Sequence, residues 1–288
     1  MRRFHWVDAF ANRAFAGNGC MVVHDAGDVP AGACMALVRE TSLTECTFLE
    51  PSDVADVKVR YFLADREVDF AGHPTIASVL AWRDATGHDS DTLTLETGAG
   101  VINIRIEGDA VVMASARPQF GAVVDPGEVA ALYGLTAGDI IATPQIVSVG
   151  LGHTIAVVRD LAALKRARLD RPALVAFCHA HAWRGVAEMP APFLVTLGGI
   201  DHGGTFARLF LEAGQGEEDA FTGSATAEAG AYLWQHGLIE TPQFMAEQGH
   251  WMGRPGQATV RVVGAPGSIE RVEVGGQGHI LMRGDVDL

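Results

Sequence analysis

Short apolar runs alternate with breaks of glycine, proline and aspartate along most of the chain. The runs are rich in Val, Phe and Tyr, which favour strands, and the breaks are typical of turns. The pattern predicts strands at 4–10, 20–24, 46–49, 57–63, 93–107 and 111–116. Helices are predicted at 31–40, after Pro30, and from Gly72 to about residue 84.

The pattern restarts near Pro118, which indicates an internal duplication. Residues 16–25 align without a gap on residues 151–160, with four identical positions. In both halves an Arg-x-Phe segment then leads to a glycine-led helix that ends at a tryptophan: Arg60 to Phe62, Gly72 and Trp82, and Arg208 to Phe210, Gly223 and Trp234. Either match alone could arise by chance, but two matches in the same order favour a duplication.

The duplication predicts two related α/β domains, at 1–118 and 119–288, with the tail at 278–288 able to return to the first domain. A cleft between such domains is a favoured place for a small-molecule site. The helices that start at Gly72 and Gly223 would present unpaired N–H groups there, which suit a carboxylate. The alternative is that both are ordinary helix starts.

Composition narrows the classes of function. A hydrophobic fraction of 48% and a charged fraction of 19% indicate a globular protein, and a net charge of −14 disfavours nucleic acid or anionic membrane as partners. The sequence contains no run of about 18 apolar residues and no signal-peptide pattern. Four cysteines (Cys20, Cys34, Cys46 and Cys178) lack metal-type spacing, so free thiols in a reducing, cytoplasmic compartment are expected.

Several motifs follow one another along nearly the whole chain. In the first half they are Asp8-Ala-Phe10, Phe15-Ala-Gly-Asn18, Leu43-Thr-Glu45, Arg60-Tyr-Phe62 and the segment from Glu67 to Gly72-His-Pro-Thr75. In the second half they are Glu218-Asp219, Thr222-Gly-Ser-Ala225, Gln248-Gly249 and Met252-Gly-Arg-Pro255. Together they resemble the phenazine-biosynthesis PhzF-like family. That resemblance implies the diaminopimelate-epimerase fold, a duplicated two-domain α/β (α+β) fold in which each domain wraps a sheet around a central helix.

The resemblance also implies an isomerase that needs no cofactor and no metal. The family's catalytic residues match Glu45, His73 and Asp219, and substrate-binding roles fall on Asn18, Gly72, Thr222, Gly223 and Ser224. The substrate would be a small unsaturated or cyclic carboxylate, the best-known family reaction being isomerisation of trans-2,3-dihydro-3-hydroxyanthranilate. A homodimer is implied as well. Smaller departures from the family pattern are Gly19 and Ala220 in place of proline, and Thr44 and Cys46 in place of serine and threonine.

Taken one at a time, without the resemblance, each of these residues has both a functional and a purely structural interpretation. Glu45 lies between a helical segment and an apolar strand, where it would be partly desolvated and suited to proton transfer, or would be a solvated cap. His73 could hydrogen-bond substrate or cap its helix, and Asp219 could orient substrate or form a turn. Ser224 could cap its helix and bind a carboxylate with one hydroxyl.

Other candidate sites are weaker. Cys178-His179-Ala-His181 resembles a metal tract but has no distant partner, so a solvated surface is expected. Cys20 and Cys46 are expected to be buried small apolar residues. Gly150-Leu-Gly152 lacks the remainder of a dinucleotide fingerprint.

Two other functions remain open at this point. Racemases and epimerases of this fold use two facing cysteines, and the matching positions hold Ala71 and Phe221. The second alternative is a non-catalytic small-molecule binding protein, which intact Glu45, His73 and Asp219 disfavour.

Overall fold

The computed structural model describes residues 1–186, 189–212 and 216–288. The chain divides into two compact units. The first comprises Met1–Met113, Gly253–Gln257 and Gly275–Leu288, and the second comprises Ala114–Met252 and Ala258–Val274. The domain limits 1–118 and 119–288 stay a prediction, because a compact unit is not by itself an independently folding domain.

The described chain contains both strands and helices. The strands are β1 (Arg2–Ala9), β2 (Asn18–Val23), β3 (Cys46–Glu50), β4 (Val57–Phe62), β5 (Glu67–Val68), β6 (Thr92–Thr97), β7 (Gly100–Glu107), β8 (Ala110–Ala114), β9 (Gln119–Val123), β10 (Gln145–Ser148), β11 (His153–Val158), β12 (Pro192–Leu197), β13 (Thr205–Phe210), β14 (Glu218–Asp219), β15 (Gln243–Gln248), β16 (Gly256–Val263), β17 (Arg271–Gly276) and β18 (Gly278–Val286). The helices are α1 (Ala31–Thr41), α2 (Gly72–Thr86), α3 (Pro126–Leu132), α4 (Leu161–Arg166), α5 (Arg171–Ala180) and α6 (Gly223–Gln235), with 3-10 turns at Ala137–Asp139 and His250–Met252.

The two units repeat one strand topology. In the first unit β1–β2 is antiparallel, β2–β3 parallel, β3–β4 and β4–β5 antiparallel, and β4–β6 parallel. In the second unit β10–β11 is antiparallel, β11–β12 parallel, β12–β13 and β13–β14 antiparallel, and β13–β15 parallel. A glycine-led helix follows the two-residue strand in each unit, α2 after β5 and α6 after β14. The predicted duplicated α/β fold is therefore confirmed.

The repeated Arg-x-Phe motif forms the same contact in both units. The Arg60 Nε lies 2.8 Å from an oxygen of Glu67, and the guanidinium lies 4.8 Å from the centre of the Phe62 ring. In the second unit Arg208 Nε lies 2.9 Å from Glu218, and its guanidinium stacks 4.2 Å from the Phe210 ring. A planar guanidinium suits a carboxylate and an aromatic face at once, so the motif joins the long strand to the two-residue strand beside it.

Residues 73–79 of helix α2 are all buried, and the helix packs against strands of the first unit. It contacts β1, β2, β3, β4 and β18. Its polar residues are paired with those strands, because the Tyr61 hydroxyl lies 2.8 Å from Thr75 Oγ1, and Ser78 donates to Thr47 Oγ1 at 2.9 Å. Since buried polar groups are costly unless paired, these contacts fix the position of the helix start. In the second unit α6 contacts β10, β11 and β12.

The strand predicted at 93–107 is wrong, because it is a hairpin of β6 and β7. The chain turns at Gly98, where an added Cβ would lie 2.7 Å from Asp69 Oδ1. Ala99 donates to the Asp69 carbonyl, and Gly100 follows with a φ of +109°. The alternation of Val, Ile and Leu continues through both strands, so the turn depends on a contact with a residue distant in sequence. The helices predicted at 31–40 and from Gly72 are confirmed.

Candidate active site

Glu45 lies immediately before β3 in the first unit. Helix α1 ends at Thr41, and Ser42 takes a left-handed conformation with a φ of +54°, which turns the chain back toward the sheet. The side chain of Glu45 is 16% exposed. The predicted partial desolvation of this carboxyl group is confirmed.

His73 is the second residue of α2, and Ala71 occupies the N-cap position with an extended backbone. The Nδ1 of His73 lies 3.4 Å from Glu45 Oε2 and 3.2 Å from Asn18 Nδ2. Burial lowers the pKa of His73 to about 3. A hydrogen bond to the Gly19 backbone raises this pKa but offsets only part of the effect of burial. The imidazole is therefore neutral at physiological pH. The structure brings together Asn18, Glu45 and His73, with Gly72 beside them at the helix start.

Two residues next to Glu45, Thr44 in sequence and His73 in space, each carry a buried polar atom without a partner in the described chain. The Nε2 of His73 and the Oγ1 of Thr44 are buried and have no hydrogen-bond partner among residues 1–186, 189–212 and 216–288. Buried side-chain polar atoms are paired in the large majority of cases, so atoms of this kind indicate a position for a bound molecule. Sequence reasoning noted Thr44 only as a departure from serine. The sequence feature that could have indicated a role for Thr44 is its position directly before Glu45.

A second group of polar residues lies at the start of α6 in the second unit. Asp219 Oδ2 accepts a hydrogen bond from Thr222 Oγ1 at 2.6 Å. Gln248, which is 1% exposed, donates to the Asp219 carbonyl at 2.8 Å and accepts from the Thr222 N–H at 3.1 Å. Gln248 therefore sets the positions of both residues. Sequence reasoning had placed it in a motif without a role.

The polar residues at the start of α6 correspond, by their position in the helix, to those at the start of α2. Helix α6 begins at Gly223 with Thr222 as N-cap, so Ser224 is the second helical residue, as His73 is in α2. The expectation that Ser224 caps the helix is therefore wrong. The half-buried Ser224 lies beside Thr222 and Gly223, and all three belong to the same unit as Asp219.

The cysteines show no sign of reactivity. Cys20 and Cys46 are fully buried, and burial raises the pKa of Cys46 to about 11 and that of Cys20 well above its usual value. Their predicted behaviour as small apolar residues is confirmed. Cys178 lies in the core of the second unit, so the solvated surface expected for Cys178-His179-Ala-His181 is wrong at this residue. His179 is exposed, and His181 Nε2 lies 2.8 Å from Glu128 Oε1.

The described residues contain neither a metal-binding cluster nor a membrane-spanning helix. Within the described ranges, no three His, Cys, Asp or Glu side chains are arranged to hold a metal ion. No helix in those ranges is both long and apolar enough to cross a membrane.

Comparison with known proteins decides the family. Residues 7–284 match the model of a family described as phenazine biosynthesis-like protein. The chain belongs to this family. Within it, the chain is 32% identical over 302 residues to the trans-2,3-dihydro-3-hydroxyanthranilate isomerase of Pseudomonas chlororaphis, with 100% of both chains covered.

Solved structures show that the fold is shared with other proteins. The fold is similar to that of a PhzF-family phenazine biosynthesis protein from Bacillus anthracis, with a TM-score of 0.86 and 24% identity over 100% of this chain and 99% of that one. A predicted epimerase from Pseudomonas aeruginosa gives a TM-score of 0.81 and 29% identity over 99% of both chains. The family match over residues 7–284 confirms the resemblance inferred from the motifs.

Proposed function

We propose that this protein is an isomerase that relocates a proton on a small unsaturated or cyclic carboxylate, as in the isomerisation of trans-2,3-dihydro-3-hydroxyanthranilate. The observation that carries the proposal is the pairing of Glu45 with a buried, neutral His73 across 3.4 Å. Two buried side-chain atoms, Thr44 Oγ1 and His73 Nε2, have no partner in the described part of the chain. The chain's relatives are named as isomerases, which supports the same reaction class.

Glu45 is the proposed proton carrier. Its carboxylate removes a proton from one carbon, holds it as the carboxylic acid, and delivers it to another carbon of the same conjugated system. Between the two steps the substrate carries extra negative charge, which hydrogen-bond donors stabilise most where water is excluded. A neutral imidazole and a hydroxyl, His73 and Thr44, supply polar contacts without forming a fixed ion pair with Glu45.

The family motif is the basis for the roles proposed for the second group. The N–H groups at the starts of α2 and α6, at Gly72 and Gly223, suit a substrate carboxylate, as do the hydroxyls of Thr222 and Ser224. Asp219, held by Thr222 and Gln248, would orient an amine or hydroxyl of the substrate. This assignment follows the family motif position by position.

The racemase alternative lacks its essential groups. A two-base racemase of this fold needs a thiol on each side of the reacting carbon, and the matching positions are Ala71 and Phe221, which are 4% and 0% exposed. Neither side chain can exchange a proton. A non-catalytic binding protein would bind the same carboxylate without exchanging any of its C–H protons.

Deuterium exchange tests the proposal directly. The protein is incubated with trans-2,3-dihydro-3-hydroxyanthranilate in heavy water, and deuterium at carbon is followed by NMR. We expect the wild type to isomerise and label the substrate, and Glu45→Gln to bind it without labelling. Glu240→Gln, an exposed carboxylate in the second unit, is the matched control. Labelling by Glu45→Gln at the wild-type rate would show that the proposal is wrong.

We propose a cytoplasmic location and a homodimer as well. All four cysteines are buried free thiols, as suits a reducing compartment. The dimer rests on the family resemblance. Light scattering should give twice the mass of one chain, and the mass of a single chain would contradict it.

A further inference from the structure

An arginine from the last part of the chain binds the loop that precedes Asn18. Arg254 lies in the segment Gly253–Gln257, which belongs to the first unit although the chain on either side belongs to the second. Its Nη2 lies 2.7 Å from Asp8 Oδ1 and 3.1 Å from the Ala16 carbonyl oxygen, and its Nε donates to the Gly17 carbonyl at 2.8 Å. One guanidinium thus holds three acceptors within a short stretch of chain.

Asp8 extends this contact to the other side of the loop. It is fully buried, and its Oδ2 accepts a hydrogen bond from the Phe15 N–H at 2.8 Å while Oδ1 contacts Arg254. The Gly17 N–H in turn donates to the Pro255 carbonyl at 3.1 Å. The loop at 15–17 is therefore bound through its backbone to Asp8 and to residues 254–255.

The loop has a conformation that needs such support. Phe15 has a φ of +64° although its aromatic side chain is 68% exposed and gains little from burial. Gly17 has a φ of +57°, and a Cβ there would lie 2.1 Å from the Ala9 carbonyl oxygen. Left-handed backbone is unfavourable for a residue with a side chain, and strain of this kind persists where surrounding contacts hold it.

The loop leads directly into the candidate active site. Asn18 follows Gly17, and its Nδ2 lies 3.2 Å from His73 Nδ1, which is 3.4 Å from Glu45 Oε2. A shift of the Gly17 backbone would therefore move the amide that contacts the imidazole. We propose that Arg254, anchored on Asp8, is a positioning residue that sets Asn18 against His73 and thereby the spacing between His73 and Glu45. The kinetic part of this proposal rests on the proposed function.

The same unit offers a matched control for Arg254. Arg283 contacts both carboxylate oxygens of Asp84, at 2.7 and 2.8 Å, and its side chain is 56% exposed. Arg283→Met removes an arginine–aspartate pair with similar nitrogen–oxygen distances, and no hydrogen bond joins that pair to the loop at 15–17 in the described chain. Both variants lose an arginine–aspartate pair and the stability that it provides. A change seen only in Arg254→Met is therefore an effect on the site.

The first readout needs no substrate. The ¹⁵N chemical shifts of the His73 imidazole report its contacts with Asn18 and Glu45. We expect them to change in Arg254→Met and to stay as in wild type in Arg283→Met. If they are unchanged in Arg254→Met, or change equally in both variants, Arg254 has no positioning role. This result stands even if Glu45→Gln shows the proposed reaction to be wrong.

The second readout is kinetic. We expect kcat of Arg254→Met to fall by about 10- to 100-fold, with KM changed much less, because misplacement of a catalytic group by about 1 Å costs rate. Arg254→Lys keeps the charge but has one nitrogen for three acceptors, so its kcat should be intermediate. If Arg254→Met does not fold, Arg254→Lys is used in its place in both measurements. A kcat within twofold of wild type for the folded variant would overturn the proposal.

Discussion

The Glu45 carboxylate lies 3.4 Å from the Nδ1 of an imidazole, His73, whose pKa burial lowers to about 3. A protonated histidine at this distance would form an ion pair with Glu45 and favour its carboxylate form. The neutral His73 does not oppose protonation of Glu45 in that way. The arrangement suits a group that must both take up and release a proton during one turnover.

The Glu45→Gln variant is expected to lose turnover while keeping fold and binding. Glutamine has nearly the same shape but cannot carry a proton between carbons. One positioned acid–base group contributes about 10²–10⁴-fold, and a group used in both steps should lie at or above the upper limit. Steady-state kinetics together with the Kd from calorimetry measure both effects. A Kd raised in parallel with the lost rate would assign Glu45 to binding instead.

The variants His73→Asn and Asp219→Asn are expected to weaken binding and rate together. Their proposed work is to position and polarise the substrate, so kcat/KM should fall by about 10- to 100-fold with contributions from both kcat and KM. His279→Asn, which alters an exposed histidine, is the control. A change in kcat alone for His73→Asn would instead make the imidazole part of the proton transfer.

Stability is expected to fall on mild acidification. Burial, together with the neighbouring His5, lowers the pKa of His24 to about 4, and burial lowers that of His73 to about 3. Unfolded histidine binds a proton near pH 6.5. The unfolded state therefore binds more protons than the folded state below about pH 6.5, and the free energy of unfolding should decrease from there to pH 4. Urea titrations at pH 7, 6, 5 and 4 measure it, and a flat profile would contradict burial of neutral imidazoles.

Gly17→Ala is expected to destabilise the first unit more than Gly87→Ala. Both glycines have positive φ, +57° and +71°, so both variants carry the cost of left-handed backbone, about 1–2 kcal/mol. Only at Gly17 would the new Cβ overlap another atom, 2.1 Å from the Ala9 oxygen, which should add about 1–3 kcal/mol. Chemical denaturation of the two variants compares them, and equal losses would contradict the close approach.

Dialysis against a chelator is expected to leave turnover and melting temperature unchanged. The proposed reaction uses carboxylate, imidazole and backbone N–H groups, which act without a metal ion. The measurement is a melting curve and an activity assay before and after dialysis. Loss of either would point back to Cys178, His179 and His181 as ligands.

The sequence predicts most of the fold and the central members of the candidate site. Glycine-led starts mark α2 and α6, because the signals at a helix start are local. The turn at Gly98 escapes prediction because Asp69, a residue of another segment, determines it. Glu45 and His73 stand out through the family motif, which carries information that single residues lack.

The supporting residues could not be predicted in the same way. The role of Gln248 depends on a contact with Thr222, and that of Arg254 depends on Gly17, almost the full chain away. Burial of Thr44 Oγ1 depends likewise on packing. Such roles arise from tertiary contacts, and a single sequence contains no periodicity or spacing that reports them.

The residues before the two helix starts, Ala71 and Phe221, have a stereochemical consequence. Two bases on opposite faces of a carbon invert it, whereas a single carboxylate reaches its substrate from one side. If Glu45 is the proton carrier, as proposed, a proton removed from one face is returned to the same face at the new carbon. A deuterium label would then travel with it when transfer is faster than exchange with water. The product should therefore be a single stereoisomer formed by suprafacial migration, retaining part of the deuterium of a specifically labelled substrate.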